Sequence, residues 1–156
     1  MTEIGSFSSV VVDGDALPSE RIRAGVDRVE IDDFRRTTNV AGERFMERIF
    51  TSDEVAFCAG RVERLAVRFA AKEAVAKLLG TGFRNLGWSE IEIISAPHGE
   101  PRVRLHRRAQ ELADALGITS IAVSLTHSTK TAEAFVVALC RDPQSQQPLV
   151  RETNHG

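Results

Sequence analysis

The sequence predicts an α+β domain in which a long central helix packs on a mainly antiparallel sheet. Three observations carry this expectation. Apolar residues Leu65, Ala66, Phe69, Ala70, Val75, Leu78 and Leu79 recur at helical spacing, and Gly80 stops the run. Strand-like segments cluster late in the chain, in two pairs that each enclose a short polar or proline-containing turn. The length of 156 residues, with 42% hydrophobic and 27% charged, suits one globular domain.

Residues 1–20 contain the β-branched run Val10-Val11-Val12 and the turn residues Asp13-Gly14-Asp15 and Pro18, and form an expected extension ahead of a domain at 21–141. Ile22, Ala24 and Val26 alternate with Arg21, Arg23 and Gly25, a strand pattern that delivers Asp27. Ile31–Arg36 reads as a helical turn with a basic outer face. Thr51-Ser52-Asp53-Glu54 supplies an N-cap followed by acids, a helix start. The helix then runs over 53–79, with Gly60 marking a break between a short helix and a longer one.

Glu90, Ile91, Glu92 and Ile93 alternate as a strand, and Ala96–Pro101 forms a turn into a partner strand at Pro101–Leu105. Leu105, Ala109, Leu112, Ala113 and Leu116 share one helical face that ends at Gly117. Ile118–Leu125 and Ala132–Cys140 make a second hairpin around the polar stretch Thr126–Thr131. Beyond Cys140 the chain is polar with two prolines, which predicts a mobile tail over 142–156.

Composition narrows the function. A net charge of −2, from 22 acids against 20 bases, argues against binding to nucleic-acid phosphates. No apolar run approaches the roughly 20 residues that span a bilayer, so no membrane role is expected. Met1–Val12 carries Glu3 and no lysine or arginine, unlike a secretory signal. The 2 cysteines make neither a metal cluster nor a disulfide framework. A cytoplasmic protein is expected. Among the 20 bases, Lys72, Lys77 and Lys130 are the lysines and the rest are arginine, which makes two lysines in one segment a local exception.

Three places combine reactive side chains with a physical reason. Gly25-Val26-Asp27 delivers an acid at the end of an apolar strand, where it needs a partner such as a hard cation. Alone, Asp27 is more simply a surface acid. In Arg68-Phe69-Ala70-Ala71-Lys72-Glu73-Ala74-Val75-Ala76-Lys77, Phe69, Glu73 and Lys77 share one helical stripe. Glu73 should therefore sit at the edge of the core. Arg68 lies about 140° and Lys72 about 100° away around the helix. The plain reading is an i,i+4 Glu–Lys pair worth about 0.2–0.5 kcal/mol. The surrounding alanines, however, leave room for a metal–phosphate group. His127, in Ser124-Leu125-Thr126-His127, enters a polar loop where it can meet an anion. The hydrolase elbow, the P-loop and the dinucleotide fingerprint are all missing from the sequence.

In order along the chain stand GVD, RFMERIFTSDE, RFAAKEAVAKLLGTG, IEI, HGEPRV, SLTH and AEAFVV. This series resembles the holo-acyl-carrier-protein synthase family, a small trimeric group of 4′-phosphopantetheinyl transferases, over about Ala24 to Ala138. The most specific element is RFAAKEA with its trailing Lys77 and GTG. The resemblance implies the 4′-phosphopantetheinyl transferase fold and transfer of the phosphopantetheine arm of coenzyme A to a serine of an apo acyl carrier protein. Adenosine 3′,5′-bisphosphate is the implied leaving group.

The resemblance further implies a Mg²⁺ ion held by Asp27 and Glu73, in keeping with the one or two carboxylates that this ion usually takes from a protein. Lys77 matches the pyrophosphate-binding lysine, and Glu73 is also a candidate general base, directly or through a water. Arg68 and His127 match positions near the coenzyme A nucleotide, and Gly99 and Pro101 match a turn lying against adenine. Lys72 is structural or meets a neighbouring subunit. Arg35, Arg36 and Arg44, with Phe34, Phe45 and Met46, match the basic helix that meets an acidic carrier protein. The chain departs from the family in having about two dozen residues before GVD, in Arg28 after the aspartate, and in Arg23-Ala24-Gly25 before it. A non-catalytic carrier-protein or nucleotide-binding module on the same scaffold is the alternative, and a structural trimer a more remote one.

Overall fold

The computed structural model describes residues 20–141. The Val10–Val12 run, the turn after it and the polar tail expected over 142–156 lie outside the described residues. The elements in chain order are β1 (Glu20–Glu30), α1 (Ile31–Ile49), α2 (Ser52–Cys58), α3 (Val62–Leu79), a single 3-10 turn (Trp88–Glu90), β2 (Ile91–Ser95), β3 (Pro101–Leu105), α4 (Arg107–Ala115), β4 (Ile118–His127) and β5 (Thr131–Arg141). Every strand pair is antiparallel. One sheet has the order β1-β5-β4 and a second joins β2 to β3.

The long helix α3 is the hub. Its Ala70, Ala71, Ala74 and Ala76 are buried, and β5 offers Ala132, Ala134, Val136 and Ala138 to the same interior. Small residues on both sides let the helix lie close to the sheet. Gly25 completes this fit: a Cβ there would stand 2.1 Å from the Ala74 carbonyl oxygen, so only glycine lets β1 lie on α3 at this point. Asp27, two residues on and on the same face of the strand, is thereby aimed at the α3 seam.

Several expectations change in detail. The helical turn at Ile31–Arg36 is the start of a helix reaching Ile49, interrupted at Gly42 by a left-handed φ of 69°. Leu105 belongs to β3, opposite Ile91, and not to the face of α4. The break at Gly60 separates α2 from α3, and Thr51 caps α2 through a reciprocal capping box with Glu54. The alternation in β1 faces opposite to a single-chain core. Gly25, Asp27 and Val29 turn toward α3, whereas Ile22 and Val26 are exposed.

Candidate functional site

α3 carries two lysines five residues apart with opposite fates. Lys72 is fully buried, and its Nζ lies 2.8 Å from Glu54 Oε2. It also donates to the Trp88 carbonyl at 3.2 Å and, closely, to that of Ile91. Glu54 in turn accepts from the Ile93 and Thr51 backbone amides, each at 2.8 Å. Burial pulls the Lys72 ammonium below its ordinary pKa, and the Glu54 charge opposes that pull. The expected choice for Lys72, structural or intersubunit, falls to the structural role within one chain. It pins α2, α3 and β2 together.

Lys77 does not make the i,i+4 pair with Glu73 that spacing alone suggests. Its Nζ reaches β1, 2.7 Å from Asp27 Oδ1 and 3.2 Å from the Val26 carbonyl oxygen. Glu73 sits half-buried at the edge of the core, with no hydrogen bond or ion pair among the described residues. Its carboxyl is held above the usual range, first by burial and then by the negative charge of Asp27, with Lys77 acting in the opposite direction. Strand and helix therefore bring Asp27, Glu73 and Lys77 into one electrostatic cluster. Phe69, one turn before Glu73, stacks on Trp88 with centroids 4.8 Å apart and walls the apolar side of the stripe.

Arg68, His127, Gly99 and Pro101 meet elsewhere, in an open groove of about 390 Å³. Its remaining lining includes Phe57, Arg64 and Ser95, which sequence reasoning missed. Arg64 stands one helical turn before Arg68, a signal available in the spacing. Phe57 and Ser95 come from other elements and gave none. Arg68 is 4% exposed, and its guanidinium carbon sits 4.4 Å from the centre of the Phe57 ring. Nη2 donates to Ser95 Oγ at 3.0 Å, while the buried Nε has no partner among the described residues. A buried cation with a spare donor, beside His127, suits an anionic ligand. Asp27, Glu73 and Lys77 are not part of this groove's lining.

On α1, Arg35 pairs with Asp32 at 3.5 Å and with Glu63 at 4.0 Å, and Arg36 pairs with Asp33. Arg44 is exposed and makes no ion pair among the described residues. Phe45 is half-buried and packs with Phe34 and Phe50 on the cluster between α1 and α3. The front half of the helix is thus less cationic than its arginines imply.

The family model described as the 4′-phosphopantetheinyl transferase superfamily matches residues 23–140. The chain belongs to the 4′-phosphopantetheinyl transferase superfamily. Among its relatives, a holo-[acyl-carrier-protein] synthase of Ruminiclostridium cellulolyticum is 43% identical, over 72% of this chain and 88% of its own length. Another protein of that name, from Herpetosiphon aurantiacus, is 43% identical over 74% of this chain and 96% of its own. Among solved structures, the Helicobacter pylori holo-[acyl-carrier-protein] synthase in complex with coenzyme A superposes with a TM-score of 0.68. It is 29% identical and covers 74% of this transferase and 98% of its own chain. The match begins at Arg23 and ends at Cys140, so every candidate site residue of the transferase lies within it.

Proposed function

We propose that this chain moves the 4′-phosphopantetheine arm of coenzyme A onto a serine hydroxyl of an apo acyl carrier protein, using Asp27, Glu73 and Lys77 at the seam of β1 and α3. The observation that carries this reading is the convergence of the strand acid and the helix acid. Lys77 touches Asp27 at 2.7 Å, and Asp27 raises the pKa of Glu73 through its charge. Two carboxyl groups beside one lysine make a cluster of hard oxygen donors, which fits Mg²⁺ held by Asp27 and Glu73. When bound, Mg²⁺ supplies positive charge against the diphosphate oxygens.

The serine oxygen forms a bond to the phosphorus that bears the pantetheine arm. The bond from that phosphorus to the bridging oxygen breaks, and adenosine 3′,5′-bisphosphate leaves with the electron pair. Lys77 sits where its ammonium meets negative charge growing on the diphosphate. Glu73, lacking a hydrogen-bond partner among the described residues, takes the serine proton directly or through a water. Arg68 and His127 hold nucleotide phosphate in the groove, and Gly99 and Pro101 form the turn against adenine. Arg44, exposed and without an ion pair among the described residues, leads the approach of an acidic carrier, with Arg35, Arg36 and Phe45 beside it.

A homotrimer is part of this reading. On the outer face of β1 and β5, the cross-strand pairs Ile22–Leu139 and Val26–Phe135 are 70%, 45%, 41% and 50% exposed, in that order of residues. An apolar stripe of this kind suits burial against other copies of the chain. No helix among the described residues is long and apolar enough to cross a membrane. The two thiols, Cys58 and Cys140, are free and buried, which supports a cytoplasmic setting.

The test is the mass of an apo carrier protein after incubation with the enzyme, coenzyme A and Mg²⁺. A gain of one phosphopantetheine arm is expected. Binding of the carrier with no gain would favour the non-catalytic module, which no observation at the site supports.

A further inference from the structure

The contact between Lys77 and Asp27 carries an inference about how the site fills, and it rests on the transferase reading above. Lys77 and Glu73 lie one turn apart on α3, where pairing along the helix is the default. The lysine instead crosses to β1 and takes Asp27 Oδ1 and the Val26 carbonyl. One acid of the cluster is therefore engaged by the protein's own cation, and the other is open. A divalent ion drawing on both competes with the ammonium for the Asp27 carboxylate and then sits beside it, cation next to cation.

A diphosphate relieves both difficulties. Its oxygens accept from the ammonium, which frees Asp27 Oδ1, and they place negative charge between the two cations. The Lys77 side chain is 38% exposed and so has room to change partner. We infer that Lys77 is an exchange latch on Asp27, released by the diphosphate of the substrate, so that metal and substrate bind cooperatively at this site. By linkage each ligand raises affinity for the other by the same factor.

The test reads metal binding and not turnover. Mn²⁺, standing in for Mg²⁺, is titrated into the protein, and the free ion is followed by electron paramagnetic resonance. No carrier protein is present, and coenzyme A is either absent or saturating. All proteins are titrated in the same buffer at the same pH. In the natural protein, coenzyme A should tighten Mn²⁺ binding about 10-fold or more. Lys77→Met should bind Mn²⁺ alone about 10-fold more tightly than the natural protein, and coenzyme A should then add a smaller factor than it adds to the natural protein, what remains being its own oxygens on the ion. Lys77→Gln, which keeps a donor for the Val26 carbonyl, should behave like Lys77→Met and guards against a packing effect of methionine.

Equal Mn²⁺ affinity of the natural protein and both variants without coenzyme A would overturn the latch. So would cooperativity that survives undiminished in both. The carrier mass assay separates the two levels: transfer without cooperativity removes the latch alone, and absence of transfer removes the transferase reading.

Discussion

Lys72 and Lys77 stand on the same helix, and each touches a carboxylate from another element. Around Lys72 every strong partner is supplied: Glu54 receives two backbone amides and the ammonium, and the ammonium reaches two carbonyls. Around Lys77 the satisfaction is partial, with Asp27 held and Glu73 left open at the edge of the core. A buried charge must be fully paired or the fold suffers. A half-exposed cluster with a spare carboxylate tolerates incompleteness, and that incompleteness is what a ligand uses. The difference separates a structural clamp from a reactive site more clearly than residue type does.

Substitutions at the two places should therefore fail in opposite ways. The largest effect is expected at the reactive site: Glu73→Gln should cut transfer on the order of 10²–10³-fold, measured as the rate of carrier mass gain. Its melting temperature should hold or rise slightly, because the charged Glu73 is disfavoured by burial and by Asp27. At the clamp, Lys72→Met strands the buried Glu54 carboxylate and should cost about 3–5 kcal/mol in urea unfolding. The matching Lys77→Met should cost less, about 1 kcal/mol, because the Lys77 side chain is 38% exposed and the pair keeps access to solvent. A comparable loss of stability from both would erase the distinction.

The groove gives a smaller effect of a third kind. Arg68→Gln should raise the coenzyme A KM about 10-fold, the weight of a hydrogen bond to a charged group, while kcat changes little. A fall in kcat with KM unchanged would move Arg68 from the groove's ligand to the chemistry.

Much of this was legible in the chain because it is local. The helical spacing over 65–79, the stop at Gly80, the cap at Thr51 and both hairpins depend on neighbours in sequence. The second half of α1 was not, since Thr37, Thr38, Asn39 and Gly42 favour the helix weakly and its exposed surface leaves no apolar period. Lys77's preference for Asp27 over Glu73 depends on where β1 docks, and docking turns on Gly25 lying against Ala74. The outward turn of Ile22 and Val26 follows from the same contact. The groove draws Phe57, Arg64 and Ser95 from α2, α3 and β2, a convergence that no spacing announces.

Convergence of Asp27 and Glu73 is the claim on which the rest stands, and the titration of one acid tests it. Carboxyl ¹³C NMR of the metal-free protein should place the Glu73 midpoint above that of an ordinary glutamate. Folding is then weakened by this group as pH rises from the unfolded toward the folded midpoint, since the native state holds the proton longer. Asp27→Asn removes a charge that raises the pKa, so the midpoint should fall. Lys77→Met removes one that lowers it, so the midpoint should rise. A Glu73 midpoint that ignores Asp27→Asn would mean that the two acids do not share a site.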